Sequence, residues 1–355
     1  MRSVELSEHY LTIHIGNHAY EYAYFWLYDN QPHLRAKNGQ KLSETIDIDF
    51  DIQPDVVALE EDSLKVQWHD QEEYSIYYVS WLLSMDEKIS LPQTVWTVDE
   101  LPKRSFEYHE ITTNDSSLKT CLEEVIEYGF ALIKKVPLKS EQVCAFAELF
   151  SYVRETNYGR YFDVKVLPDP NNLAYTAKGL PPHTDNPYRD PVPTLQLLHC
   201  LKADAEGGKS VLIDGFRLAM DLKKENPTAY DYLSKWPIEY KFEDDQVDLR
   251  NWTTVIGEKG DGSLYHIRFN NRSVQPFLFK GEQLKQYYKA YQTFEKMMHD
   301  PKYQYIFKLE AGDLILFDNE RILHGRTEYT LNGERHLQGC YANRDGLVSK
   351  WRKTN

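Results

Sequence analysis

The chain has 355 residues, room for two domains at roughly 100–200 residues each, and its 41% apolar and 27% charged residues suit a soluble protein with a real core. Lys plus Arg number 41 against 55 Asp plus Glu, a formal charge of −14, which argues against a surface built to displace counterions from nucleic acid. No apolar run approaches the roughly 18 residues of a membrane span, the start MRSVELSEHY has no apolar signal core, and the four scattered cysteines form no C-x-x-C, so the chain reads as a reduced, cytoplasmic protein.

Residues 1–90 read as a small strand-rich domain. TIHIGNHAYEYAYFWLYDN alternates like a strand pair about a Gly-Asn turn, LSETIDIDFDIQPDVVAL alternates Ile with Asp, and SLKVQWHD and YSIYYVSWL add a strand and a short element carrying Trp81. Residues 91–105 hold two prolines and no sustained periodicity, which predicts a linker. From 106 to 355 the pattern changes. Ser117 to Gly129 has helical spacing with Gly129 as its stop, FALIKKVP is a strand, and SEQVCAFAELFSYV is a helix opened by Ser140. After Tyr175 come the strands TLQLLHCLK, KSVLIDG, WTTVIGEKGDGSLYHIRF with a hairpin at Asp261-Gly262, IFKLEAGDLILFDN and RHLQGCYANRD. They are interrupted by the helical stretches FRLAMDLKKENPTAYDYLSKW and GEQLKQYYKAYQTFEKMMHD. Many short strands with outer helices predict an α+β, mainly β protein, a sandwich or jelly roll with supporting helices.

The chain contains no phosphate loop, no G-x-G-x-x-G, no G-x-S-x-G and no H-E-x-x-H. In PPHTDNPYRDP, His183 and Asp185 stand two apart, so on an extended chain imidazole and carboxylate point to one side. An H-x-D alone is common. It gains force from His324, just beyond the apolar strand Leu314 to Phe317, and from Arg335 eleven residues later. Two His and one carboxylate on one face leave three octahedral positions open, a set suited to Fe(II), and a fixed Arg binds a carboxylate through two parallel hydrogen bonds.

NNLAYTAKGLPPHTDNPYRDPVPTLQLLHCL, GGKSVLIDGF, FDNERILHGR and GERHLQGCYANRD, dense over residues 171–345, resemble the 2-oxoglutarate-dependent Fe(II) oxygenases of the taurine dioxygenase superfamily. Within it they resemble the γ-butyrobetaine and trimethyllysine dioxygenase branch. The resemblance implies a double-stranded β-helix (jelly roll) behind the small N-terminal domain. It implies Fe(II) on His183, Asp185 and His324, with 2-oxoglutarate and O2 as cosubstrates and the distal carboxylate of 2-oxoglutarate on Arg335, helped by Thr194. An aromatic cage for a trimethylammonium group maps onto Tyr158, Phe162, Tyr175 and Tyr341, Phe162 standing where animal butyrobetaine enzymes carry Trp. A quaternary ammonium donates no hydrogen bond, so ring faces are its natural partners. Asn172, Asn186 and Asn270 are the implied contacts of the anionic end, and Arg189 a candidate partner for it.

The implied reaction hydroxylates an aliphatic C–H of a small trimethylammonium zwitterion, first γ-butyrobetaine to carnitine. The alternative is a 2-(trimethylamino)ethylphosphonate hydroxylase, followed by trimethyllysine, a sulfonate substrate, or a non-catalytic ligand-binding jelly roll. Many members bind a structural zinc through cysteines after a WLRDN-like segment. Here that stretch reads WLYDNQPHLRAKNG, no cysteine precedes Cys121, and His33 and His69 alone make a poor tetrahedral site, so no zinc is expected. The expected partner is a small-molecule quaternary-ammonium substrate, with neither nucleic acid nor membrane. The resemblance implies a lid or dimerisation role for the N-terminal unit, and with the latter a homodimer.

Overall fold

The computed structural model describes residues 2–86, 91–166 and 176–354, and the chain forms two compact units, Met1–Ser90 and Leu91–Asn355. In the first, β1 (Arg2–Leu6), β2 (Tyr10–Ile15) and β3 (His18–Ala23) form an antiparallel meander with the predicted turn at Gly16-Asn17. The aromatic run then turns helical, as α1 (Tyr24–Asp29), because Tyr24 and Leu27 stand one helical turn apart and both are buried. The Ile/Asp alternation is not a strand before Pro54. It holds a 3₁₀ turn at Thr45–Asp47, and Ile46 is 84% exposed. Period two makes a strand only where a neighbouring face takes the apolar side chains. That condition is met by β4 (Pro54–Leu59), β5 (Ser63–Trp68) and β6 (Tyr74–Tyr78), a second three-stranded sheet followed by α2 (Val79–Asp86). In this unit's core the Trp68 indole N–H donates to Ser75 (3.2 Å) and the Tyr77 hydroxyl to the Leu27 carbonyl (2.6 Å), so two large rings are buried with their polar atoms satisfied.

In the second unit, residues 91–105 carry no helix or strand, yet Trp96 is buried. Its backbone N–H donates to Asp214 (3.1 Å) and its indole N–H to the Tyr128 carbonyl (2.8 Å). After β7 (Phe106–Glu107) and α3 (Tyr108–Thr113), the predicted helix is α4 (Asp115–Tyr128): Asn114 Oδ1 accepts from the amides of Ser116 and Ser117, and Gly129 ends it at φ 86°. After β8 (Phe130–Lys134), α5 (Gln142–Ala147) is shorter than the pattern predicts. Ser140 does not open it, since its hydroxyl accepts from the Gln338 amide (3.1 Å). The chain continues through β9 (Phe162–Val164), β10 (Leu180–His183), β11 (Leu195–Ala203) and β12 (Ser210–Asp214). One helical stretch of the sequence becomes two, α6 (Gly215–Glu225) and α7 (Pro227–Lys235), because Asn226 caps a new start at Pro227. Two hairpins follow, β13 (Ile238–Glu243) with β14 (Asp248–Thr253), and β15 (Ile256–Glu258) with β16 (Leu264–Ile267). The chain closes with α8 (Gly281–Met298), β17 (Tyr305–Phe307), β18 (Leu314–Asp318), β19 (Ile322–Arg326), β20 (Arg335–Ala342) and α9 (Arg344–Lys353).

Two sheets dominate this unit, one in the order β7-β8-β18-β11-β20-β9 and one in the order β10-β19-β12-β17. Phe130, Ile315 and Phe317 of the larger sheet and Leu212 and Ile322 of the smaller share one buried cluster, so the sheets pack face to face as a double-stranded β-helix. Leu122, Phe146 and Leu347 cover the outer face of the larger sheet from α4, α5 and α9. Among the described residues no helix is long and apolar enough to cross a membrane.

Candidate active site

His183 ends β10, His324 lies in β19, and the two are direct cross-strand partners with ring centres 4.4 Å apart. Gly325 permits this approach, because a Cβ there would lie 2.7 Å from the Leu180 carbonyl oxygen. Asp185, two residues beyond His183, brings its carboxylate to 3.2 Å from His183 Nε2 and 3.9 Å from His324 Nε2. These three form the one group of His, Cys, Asp or Glu, among the described residues, whose ligand atoms all lie within 4.8 Å of one another.

The protonation states suit a metal. His183 Nδ1 lies 2.8 Å from the Pro181 carbonyl oxygen, which assigns the proton to Nδ1 and leaves the Nε2 lone pair facing the site. Burial, and then the neighbouring His183, push His324 down to about 3, so its imidazole is neutral at neutral pH. Burial works to raise the Asp185 carboxyl, but its polar surroundings, His183 first, then His324 and the Arg272 guanidinium, outweigh it and hold the group well below the usual carboxylate range. Tyr341 donates its hydroxyl to the second Asp185 oxygen (2.9 Å), and burial followed by the Asp185 charge keeps that phenol protonated. Donors about 2.1 Å from one metal and at right angles are about 3 Å apart, which matches the 3.2 Å between His183 and Asp185. Two neutral nitrogens and one carboxylate on one side of an open cavity fit Fe(II).

The cavity beside these residues measures about 400 Å³. One wall is aromatic, with Tyr158, Phe162 and Tyr341 of the expected cage joined by Tyr188, which stands in the His183 motif without being singled out there, and by Phe242, which no motif reaches. Phe162 lies 5.2 Å from Tyr341 and 6.3 Å from Tyr158, and Phe242 stacks on Tyr188 at 5.2 Å (centroid distances). Gly339 makes room for Phe162, whose ring would stand 2.5 Å from a Cβ at that position. Asn172 and Tyr175 lie outside the described residues.

Arg335 lines the cavity together with Ser210 and Arg326, which are themselves cross-strand partners. Both guanidinium groups lie over the Tyr329 ring, Arg326 at 4.8 Å and Arg335 at 5.5 Å. Burial lowers Arg335, and burial together with the Arg335 charge brings Arg326 down to about 10, so an anion arriving here meets two desolvated cations. Thr194 is not on this wall. Its hydroxyl accepts from the Arg344 amide (2.6 Å), and Ser210 supplies the hydroxyl beside the arginines. Gly208, two residues before Ser210, leaves room for Arg335, whose Nε would lie 3.0 Å from a Cβ there.

The remaining polar positions divide. Asn186 lines the cavity at φ 55°, with Oδ1 accepting from Tyr188 (2.7 Å) and Nδ2 buried without a partner among the described residues. Asn270 also lines it but is committed to its turn, Nδ2 donating to the Thr184 carbonyl (3.1 Å) and Oδ1 accepting from the Arg272 amide (3.0 Å). Arg189 does not line the cavity; its guanidinium donates to Asn157. The cations on that wall are Arg272 and Lys241, the latter paired with Glu243, and neither stands in a motif that singles it out.

Residues 91–341 match the family described as taurine catabolism dioxygenase TauD, TfdA family. The chain is 34% identical to a γ-butyrobetaine dioxygenase of Pseudomonas sp. (strain AK-1), over 92% of this chain and 88% of the relative. It is 29% identical to the mitochondrial trimethyllysine dioxygenase of Homo sapiens, over 96% and 85%. Its fold is similar to that of an asparagine oxygenase solved with Fe(II), hydroxyasparagine and succinate (TM-score 0.51, 16% identity, 64% of this chain and 80% of that one). It is also similar to that of the non-heme iron oxygenase OrfP solved with Fe and α-ketoglutaric acid (TM-score 0.50, 13% identity, 67% and 84%). With most of the second unit inside the matched region and relatives aligned over nearly the whole chain, the protein belongs to the TauD/TfdA family of dioxygenases.

Proposed function

We propose that this chain is a 2-oxoglutarate- and Fe(II)-dependent dioxygenase that hydroxylates an aliphatic C–H of γ-butyrobetaine to give carnitine. The observation that carries it is one cavity in which a His-Asp-His cluster faces both an aromatic wall and a pair of arginines, Arg326 buried and Arg335 half-buried. The named relatives, dioxygenases of γ-butyrobetaine and trimethyllysine, support the trimethylammonium class.

In this reading His183, Asp185 and His324 hold the iron, and Arg335, with Ser210 beside it, takes the distal carboxylate of 2-oxoglutarate. Bound there, iron with 2-oxoglutarate and O2 supplies oxidative decarboxylation to succinate and CO2, coupled to C–H hydroxylation. The protein's own work is placement. The Tyr158, Phe162, Tyr188 and Phe242 rings hold the cation, which a hydrogen-bonding pocket could not do, while Asn186, Arg272 and Lys241 hold the anionic end. With both poles fixed, the carbon between them is presented toward the cluster. The Tyr341 hydroxyl keeps the Asp185 carboxylate oriented from the cage side.

The direct test measures succinate and hydroxylated product together for γ-butyrobetaine, 2-(trimethylamino)ethylphosphonate and trimethyllysine. One-to-one coupling with γ-butyrobetaine is the expected result; no coupled turnover with any of them sinks the cage reading. Phe162 probes the cage more cleanly than Tyr341, whose hydroxyl touches Asp185. A cation–π contact of about 1–2 kcal/mol predicts that Phe162→Ala raises KM for γ-butyrobetaine roughly 5- to 30-fold. KM for 2-oxoglutarate should stay within about twofold. At the other pole, a charge-assisted hydrogen bond is worth about 1.5–3 kcal/mol, so Arg272→Gln should raise the betaine KM roughly 10- to 150-fold. Wild-type KM values in that variant would remove Arg272 from the anionic end.

A further inference from the structure

The turn between β18 and β19 reads Asp318-Asn319-Glu320-Arg321, and all four residues are buried. Asn319 is only 1% exposed, and its amide is spent almost entirely on one neighbour. Oδ1 accepts from the Asp185 backbone N–H (2.7 Å), while Nδ2 donates to the Asp185 carbonyl (2.9 Å) and to the Pro193 carbonyl (3.0 Å). The Asn319 backbone N–H donates to the Thr194 carbonyl (2.9 Å), so both ends of the loop after Asp185 are tied to this one residue. Asp185 lies outside any strand, and Asn186 after it is in the left-handed region, so no sheet ladder fixes this peptide. Five residues after Asn319, on the strand the turn opens, stands His324.

We infer that Asn319 is a positioning residue for the metal centre: its amide clamps the backbone of Asp185 on both sides and so sets where that carboxylate stands relative to His324. The chemistry requires an amide. Aspartate of the same shape accepts from the Asp185 N–H but donates to neither carbonyl, and leucine does neither. The remaining residues of the turn serve other contacts. Asp318 pairs with Arg344 (2.7 Å), Arg321 with Asp214 (2.7 Å), and Glu320 lies 3.6 Å from Arg268. Glu320 therefore provides a control on the same turn that does not touch Asp185.

The inference rests on the metal reading above, and the test separates the two. Mn(II) is titrated into the full-length apoprotein, and free Mn(II) is followed by its electron paramagnetic resonance signal. In parallel, the visible charge-transfer band of the Fe(II)–2-oxoglutarate chelate is recorded under argon. Wild type binding one Mn(II), with His324→Ala binding none, is expected; a wild type that binds none overturns the metal reading itself. Given wild-type binding, Asn319→Ala and Asn319→Asp should each weaken Mn(II) about 10- to 100-fold, the range for a residue that orients a ligand. Both should shift or weaken the charge-transfer band, whereas Glu320→Gln stays within about twofold of wild type on Mn(II). If Asn319→Ala fails to fold, the isosteric Asn319→Asp decides. Folded Asn319 variants with wild-type Mn(II) affinity and an unmoved band overturn the clamp, as does an equal loss in Glu320→Gln, which would mark the effect as general to the turn.

Discussion

Asp185→Ala is expected to reduce coupled succinate formation to below about 1% of wild type, because changes merely outside a ligand set already cost about 10- to 100-fold. Asp185 is the only anion of the cluster, and two other side chains are arranged around its oxygens: His183 Nε2 at 3.2 Å and the Tyr341 hydroxyl at 2.9 Å. Without the carboxylate, two neutral imidazoles 4.4 Å apart face a cavity that also holds Arg272, and a dication has no charge to meet it. Metal content after reconstitution and washing should fall in step with activity. The fold should survive, since Asp185 sits at a cavity wall and not within a hydrophobic cluster. Cooperative melting of the variant checks that point, and wild-type metal content with wild-type turnover would remove Asp185 from the centre.

Arg335→Ala should act on the cosubstrate and leave the metal in place. Removing one partner of a buried charge pair costs about 2–5 kcal/mol, which is roughly 30- to 4,000-fold in 2-oxoglutarate affinity. Arg326 does not simply substitute, since its guanidinium already donates to the Thr176 and Lys178 carbonyls (2.7 Å each). Lysine supplies charge without the planar fork, so Arg335→Lys should recover only part of the loss. The distinguishing measurement is the split between KM and kcat: KM for 2-oxoglutarate rises steeply, bound metal is unchanged, and turnover recovers at saturating 2-oxoglutarate. A variant with unaltered KM would assign the distal carboxylate to another group, Arg326 first.

The convergence of His183, Asp185 and His324 was legible because two of them are periodic neighbours and the third follows a recognisable strand. His183 and Asp185 are two apart, His324 follows an apolar strand, and the cross-strand pairing of the two histidines adds only what Gly325 permits. The arginine wall of the cavity was half legible. Arg335 stands eleven residues after His324, but whether Thr194 or Ser210 faces it depends on which strand borders β19, and β12 does so across more than a hundred residues. The aromatic and basic wall was least legible. Lys241, Phe242, Asn251 and Arg272 belong to a hairpin and a turn with ordinary alternation and no motif, and they acquire meaning only when the chain folds back over Tyr158 and Tyr188. The helices show the same division. Gly129 ends α4 as the sequence predicts, while Asn114 caps its start at Asp115, two residues before Ser117, and the break at Asn226-Pro227 lies within an otherwise continuous helical pattern.

The hairpin β13–β14 pairs with neither main sheet, yet it brings Phe242 and Lys241 to the cavity and fastens the Pro187 and Arg189 carbonyls through Asn251. Part of the proposed substrate wall is therefore carried by a piece of backbone separate from the strands that bear His183, His324 and Arg335. Within it Ile238 and Tyr240 are buried in the core and Asn251 holds the loop after Asp185, so the positions open to exchange are the cavity-lining Lys241 and Phe242 and the exposed turn after them, while the strands bearing His183, His324 and Arg335 retain their alignment. For anyone redirecting this scaffold toward another small molecule, that hairpin is the place to build a library, and the barrel strands are the place to leave alone.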